Sequence, residues 1–588
     1  MPKASPFITN FTSGELSNRL FGRLDIEKYF NGARTLYNMI VQPHGPTTRR
    51  AGTKYIAEVR NSASSVRLIP FEFSNQQAYV IEAGHEYMRF FMDQGAIATP
   101  TGTVTGPYHI PTTINQASLP YLKWAQSADE MYLVSSQGDM PPARLTRTGH
   151  NAWTFEDIAF TADPFGGATG YPRVAGFFEQ RSVWANVPAS PQRMWLSATG
   201  AYTDLTLGAG DDDAIDITIA ADNVNPIMWI SPMRVMIFGT TGGEWRVASE
   251  GYTTPVTPTN IIVRRESNYG SEDNILPEVV GPTVLYVQRH ARKVRELGYD
   301  YTIDGWDAPD LSLLAEHLFN KNANGSTVVE LAYCQEPDSI LWCRRHDGTL
   351  AGCTYNRMQQ VAAWHHHDTL GTIESMCQIP GDGRDELWMV VNRTIDGSTV
   401  RHIECMQETD FSEAADAWFL DDALLYNGAA ATTIIGLEHL NGASVGILAD
   451  GAAVPQSTVN VGSVVLSNAA SKVLVGLPYS SRVETLRIEG GSALGTSQTK
   501  LKKLSSVGIR LWQSAGFSIG AVTGSLDVVP IRTTEDAMDA HPPLFSGDKE
   551  IREFPGGWTR NGYIVIEQDQ PLPLTVQAIV ANIETSDF

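Results

Sequence analysis

Apolar and polar positions alternate along this chain in short bursts, and five bursts share one phrase. Each opens on a polar residue, continues with two or three apolar residues that include an aromatic, and then turns tightly into a return strand. The clearest copies are Asp129 to Val134, Asp338 to Cys343 and Asp385 to Val390, and looser ones are Gln180 to Trp184 and Pro282 to Val287. Clusters of short strands recurring every roughly 40 to 60 residues predict a β-propeller, one cluster per blade. A lone blade exposes an apolar face, and packing blades in a circle covers each face with its neighbour. The aromatic is expected to fill the space between adjacent sheets.

The same patterning divides the rest of the chain. Residues 1–60 read as an N-terminal segment that is part helical, with Asp25 capping a short helix over Ile26 to Phe30 and a second helical stretch from Ala33 to Ile40. Short strands follow at Val66 to Phe73, Gln77 to Glu82 and Tyr87 to Met92, so the propeller is assigned to 61–415, with six to eight blades and inserted tip loops. Within it, Asp310 to Phe319 places Leu311, Leu314, Ala315 and Leu318 on one helical face. From 416 to 530 the chain turns rich in Gly, Ala, Ser and Val, with Asn441-Gly442 and Asp450-Gly451 between alternating strands. This predicts a smaller β-sandwich or barrel platform domain. Residues 531–588 end in strands expected to return to the platform or the propeller. The fold class is mainly β.

Composition sharpens this picture. With 51 glycines and 32 prolines in 588 residues, long helices are disfavoured and turns are plentiful. Net charge is −22, and no Lys/Arg run exceeds Arg49-Arg50 or Lys502-Lys503, which argues against sequence-specific nucleic-acid binding. The five cysteines, Cys334, Cys343, Cys353, Cys377 and Cys405, show no Cys-x-x-Cys pair and read as buried thiols in strands. The opening residues lack a charged-then-apolar signal pattern, and no apolar run approaches the ~18 residues of a membrane span, so synthesis in a cytosol is expected.

Candidate chemistry is sparse. His365-His366-His367 lies on a strand, where successive side chains alternate faces, so the three cannot converge on one metal. A solvated strand end beside Trp364 is the expectation. Asp211, Asp212 and Asp213, with Asp216 and Asp222 nearby, have the wrong spacing for a calcium loop and predict an exposed acidic loop tip. His-Glu-x-x-His and phosphate-cradling glycine loops are absent. No catalytic residue, metal ligand or cofactor is assigned.

Several phrases carry a resemblance: Asn10 to Ser17, Arg23 to Asp25, Lys28 to Gly32, Arg49 to Thr53, Arg67 to Phe73, Gly436 to Gly442, Asp450-Gly451 and Gly476 to Tyr479. Together they resemble the nozzle, or tail tubular protein B, family of short-tailed bacteriophages. The motif residues Phe11, Gly14, Glu15, Leu16, Ser17, Gly22, Arg23, Tyr29, Gly32, Arg49, Arg50, Gly52, Leu437, His439, Leu440, Gly442, Asp450 and Gly451 are then implied to be structural. The resemblance implies a virion protein, a homohexameric tube docked on the tail adaptor ring and flanked by tail fibre or spike proteins. Genomic DNA would pass along its six-fold axis without sequence-specific binding and be retained until infection. Six copies carry six times −22, or −132, and an acidic lumen would let DNA slide. Asp211, Asp212, Asp213, Asp216 and Asp222 are the lumen or tip-loop candidates. The rival expectation is a propeller glycosidase or depolymerase acting on host surface polysaccharide, with paired axial carboxylates.

Overall fold

A computed structural model describes residues 3–99, 106–221, 223–250, 254–320, 326–489, 497–537 and 540–586. Seven sheets follow one another around a ring. They are blade one (67–111), two (122–157), three (174–218), four (227–265), five (278–307), six (328–367) and seven (372–406). In each, consecutive strands pair antiparallel, and the first strand lines the axis. Blade seven supplies only three strands of its own, and its fourth is Thr53–Glu58, which pairs with Ser398–Met406 from the far end of the ring. Closure by an early strand ties the first blade's approach to the last blade.

Seven apolar clusters lie in the seven gaps between blades, so the core of the ring is a set of sheet-to-sheet seams. The repeated phrase is the second strand of blades two, three, five, six and seven. Its aromatics are buried as expected, but they do not all face the same way. Tyr132, Trp342 and Trp388 pack toward the following blade, and Trp184 and Tyr286 toward the preceding one.

Beside the ring lies a β-sandwich. One layer runs from Gly32–Tyr37 through Ser481–Thr485, Val565–Gln568 and Phe517–Val522 to Ser525–Val529. The other places Lys502–Ser514 and Thr575–Thr585 at its centre, with Phe545–Ile551 and Thr47–Arg49 outside them. Their facing apolar residues, among them Phe11, Leu36, Ile509, Ile566 and Ile579, form the largest core of the molecule. The first sandwich layer continues blade six through a parallel bridge between His366 and Tyr37. Blade seven likewise continues through Lys54 and Ala423 into an arm built from Asp421–Ile435, Ser463–Leu477, Ser444–Ala449 and Ala452–Thr458.

Four expectations are corrected. The pairing does not follow the divisions at 60, 415 and 530: residues 53–58 join the ring, 421–477 extend blade seven, and 481–586 fold with the N-terminal strands. Ala33 to Ile40 is strand, because Ala33 and Leu36 are drawn into the sandwich core and Gly32 pairs with Gly14. The early helix covers only Glu27–Phe30, and Asp25 pairs with Arg23 instead of capping it. The Asp310 to Phe319 stretch is a kinked 3₁₀ segment, Leu313–Phe319, whose Ala315, Leu318 and Phe319 plug the seam between blades five and six.

Candidate functional site

Five of the residues that carry the resemblance, Glu15, Arg49, Arg50, Gly52 and His439, lie at the seams where ring, sandwich and arm meet. Arg49 and Arg50 end the strand that borders the sandwich and are both buried. Among the described residues Arg49 has no carboxylate partner within salt-bridge distance. It donates to the Ser481 hydroxyl at 3.1 Å and to the carbonyls of Leu572 at 3.0 Å, Tyr479 at 2.6 Å and Gln570. Desolvation pushes its pKa down, and the fan of carbonyls satisfies its planar donors. Arg50 grips Asp421 of the arm with two bonds of 2.8 Å and donates to Asn38 of the sandwich and the Asp368 carbonyl of blade six. Tyr479 lies under its guanidinium at 3.9 Å. Burial alone would raise the Asp421 carboxyl, but Arg50 overrides it and holds the group below its usual range. Gly52 follows because a Cβ there would sit 1.9 Å from the Leu420 carbonyl oxygen.

A second buried cluster adjoins the first. His402, Glu404 and Asp422 bring one ligand atom each within 4.8 Å of one another, a spacing that suits a metal. Arg393 already occupies the centre, donating to Glu404 at 2.7 and 2.8 Å and lying 3.7 Å from Asp422. A divalent cation would have to displace a buried guanidinium, so the donor set fits a salt-bridge network and not a metal centre. His402 donates toward Asp422 at 2.8 Å; burial opposes its charge, but that carboxylate raises its pKa. The motif residue His439 stacks on Tyr55 at 4.0 Å between ring centroids and meets the Asp422 carbonyl at 3.1 Å. Sequence reasoning missed Arg393, Glu404, Asp421 and Asp422. The only local sign was His402-Ile403-Glu404, whose ends share one strand face.

Glu15 forms the third clamp. Its carboxylate accepts from the Leu36 amide at 2.8 Å and contacts His317 at 2.7 Å and His366 at 2.8 Å. Burial raises its pKa, and the two imidazoles outweigh burial and hold it well below the usual carboxylate range. Gly14 has φ +65° and lies against blade six so closely that a Cβ would be 2.2 Å from the Trp364 amide nitrogen. The histidine triplet alternates faces, with His366 toward Glu15 and His365 bonded to His367 at 2.6 Å on the other side. It is no solvated strand end: His365 and His367 are buried beside Trp342, because the strand lies between blade and sandwich.

The other motif residues lie elsewhere in the fold. Phe11 belongs to the sandwich core, while Leu16 and Tyr29 form a satellite cluster, with Gly32 leaving room for Leu16. Ser17 accepts from the Arg19 amide, and Arg23 forms an exposed pair with Asp25. Gly22 is exposed and its carbonyl meets Gln498. Leu437 and Leu440 fill the arm's core. Gly442 has φ +81° and abuts Asp396, and Asp450-Gly451 is a two-residue hairpin turn with φ +45° and +81°.

The acidic run borders the outer strand of blade three. Asp211 and Asp212 are exposed, whereas the Asp213 carboxylate accepts from the Gly210 amide at 2.7 Å and Asp216 is paired with Arg193. Buried Arg181 anchors the loop through the carbonyls of Asp211 and Asp213. Asp222 lies outside the described residues. On the ring axis, Glu72 and Glu278 line a cavity of about 190 Å³ with Arg67, Trp124 and Glu330. Burial, reinforced by Glu72, pushes Glu278 up to about 8.

No known protein family and no curated protein matches the chain. Among solved structures, it is similar to the WD40 repeats of RRP9, at 10% identity and TM-score 0.38, over 61% of this chain and 100% of that one. A structure of U3-55K aligns at 9% identity and TM-score 0.37 over 60% of this chain and all of that one. A luciferin-regenerating enzyme aligns at 11% identity and TM-score 0.29, covering 49% of this chain and 91% of that chain. The fold of this chain is mainly β, with a propeller at its centre.

Proposed function

We propose that this chain is a structural subunit of a short-tailed phage tail. It forms a homohexameric nozzle that docks on the tail adaptor ring, conducts the genome and retains it until infection. The observation that carries this reading is that most of the residues behind the resemblance are buried, and that Glu15, Arg49, Arg50, Gly52 and His439 converge on the junction joining propeller, sandwich and arm. Exposed apolar side chains on the sandwich and arm, including Phe7, Ile435, Val461, Val465, Trp512, Val522 and Val528, supply material for contacts between copies. Among the described residues no helix is long and apolar enough to cross a membrane.

One observation favours the glycosidase alternative: Glu278 and Glu72 share the axial cavity, and a carboxyl raised to about 8 suits a general acid. Size argues against it, since about 190 Å³ falls below the ~300–1,000 Å³ of small-molecule sites. Mass measurement and negative-stain imaging of the purified protein with adaptor proteins test the proposal. Six-membered rings support it. A monomer that releases reducing sugar, with release abolished by Glu278→Gln, overturns it.

A further inference from the structure

On one face of the ring, between blades four and five, a cavity of about 530 Å³ is lined by Asn223, Asn225, Thr241, Gly242, Arg265 and Arg289, with Met228, Ser271, His290, Glu272 and Asp273 completing it. Its two carboxylates are already engaged. Glu272 accepts from the His290 amide at 2.6 Å, and Asp273 is paired with Lys123 at 2.7 Å. Among the described residues, the guanidinium groups of Arg265 and Arg289 have neither hydrogen bond nor carboxylate partner, and Asn225, only 8% exposed, has no partner for its amide.

The backbone is shaped around these three side chains. A Cβ on Gly242 would sit 2.3 Å from the Asn225 side-chain oxygen, whereas Gly243 and Gly270 make way first for backbone, the Ser267 carbonyl at 2.3 Å and the Thr241 carbonyl at 2.2 Å, with Arg265 Cδ and Arg289 Cδ each 3.3 Å away. Gly270 also has φ +75°. Gly242 thus makes room for the Asn225 amide, and Gly243 and Gly270 let the backbone close up beside the two arginines.

We propose that this cavity binds a compact phosphorylated, polyhydroxylated ligand, a sugar phosphate. Guanidinium forks match the oxygens of a phosphate, while Asn225, Asn223 and Thr241 offer donors and acceptors for hydroxyl groups. The volume falls within the range of small-ligand sites, roughly 300–1,000 Å³. Duplex DNA is the disfavoured occupant. A concave pocket cannot admit a duplex, and the acidic molecule repels a long polyanion while two near cations hold a small one.

Calorimetric titration of the full chain with glucose 1-phosphate, inorganic phosphate, glucose and a short DNA duplex tests this. Saturable binding of glucose 1-phosphate is expected, weaker for inorganic phosphate and for glucose. The double variant Arg265→Gln/Arg289→Gln should lose roughly tenfold or more in affinity, since both charge-assisted contacts go. Both side chains are exposed, so the melting temperature should stay put. Gly242→Val, which pushes into Asn225, should also weaken binding while Arg265 and Arg289 remain. Absent binding, or binding that survives the double variant, would overturn the proposal. Equal affinity for inorganic phosphate removes the sugar from it, and tighter, variant-sensitive binding of the duplex replaces it with a nucleic-acid site.

Discussion

Arg50 and Asp421 face each other where water has been excluded, so each is tolerable only because of the other. Removing one leaves a buried charge unpaired, which typically costs about 3–5 kcal/mol, more than the pair contributes over an apolar replacement. Arg50→Met should therefore lower the melting temperature sharply, and adding Asp421→Leu should restore much of the loss; a double variant no better than the single would show that the carbonyl contacts, and not charge, hold the junction. The histidines at the same seam make stability depend on pH. Burial, then His366, push His365 down to about 3 from 6.5, so its contribution is complete above 6.5 and is lost as pH falls toward 3. His402 runs oppositely: its raised pKa contributes below its unfolded value and fades as pH rises through the folded one. Melting temperature should accordingly fall on acidification below about 6.5, and His365→Gln should flatten that decline. An unchanged slope in the variant would move the acid sensitivity to His367. The sequence motif singled out Arg49 and Arg50, but Asp421 lies 371 residues from Arg50, and no local pattern marks such a partner.

Blades were legible because each repeats a local event, a strand with an aromatic followed by a turn. Blade four escaped the pattern for a physical reason. Its second strand, Met236–Thr240, has Gly239 beside Phe238, and a Cβ there would sit 2.3 Å from the ring of Trp229, so part of its aromatic filling comes from the first strand. Elements paired across the whole chain left no comparable trace. Thr53–Glu58 reads as an ordinary strand, and only its pairing with Ser398–Met406 makes it the closing strand of the ring. The stretch from Ala33 to Ile40 has a composition that tolerates helix, and it is strand because two flanking sheets and the Glu15 carboxylate take up its backbone. Seams and surfaces should respond differently to the same substitution. Trp388, fully buried between blades seven and one, should cost about 3–5 kcal/mol as Ala, because the rigid sheets cannot collapse onto the cavity. Trp512, 51% exposed on the sandwich, should change monomer stability by no more than about 0.5 kcal/mol as Ala and instead weaken association between copies. Denaturant unfolding and sedimentation separate the two effects, and equal destabilisation by both substitutions would contradict this division of the molecule.

At the scale of the whole molecule, charge is the property that bears on the proposed conduit. Six copies would concentrate −132 around one axis, which repels phosphates and denies a sliding duplex any anchor. Only charges free of partners act on a passing polymer. Among the described residues of the acidic run of blade three, Asp216 is neutralised by Arg193 and Asp213 is committed to the Gly210 amide, which leaves Asp211 and Asp212 as the exposed carboxylates without a hydrogen bond, Asp212 within electrostatic reach of Arg181. Arg181 holds their loop through backbone carbonyls, so changing both side chains removes the Asp212 charge near Arg181 but keeps these hydrogen bonds. Asp211→Lys/Asp212→Lys should thus preserve folding and assembly. If this loop faces the lumen, twenty-four units of charge change around the ring, two residues by two units by six copies, turn a repulsive belt attractive. DNA ejection from assembled tails should then slow, and slow most at low salt, where the screening length grows to about 30 Å at 0.01 M. Ejection timed by fluorescence across a salt series reads this directly. Normal ejection at every ionic strength would put the loop on the outer surface, where the same two aspartates keep neighbouring particles apart instead of keeping DNA moving.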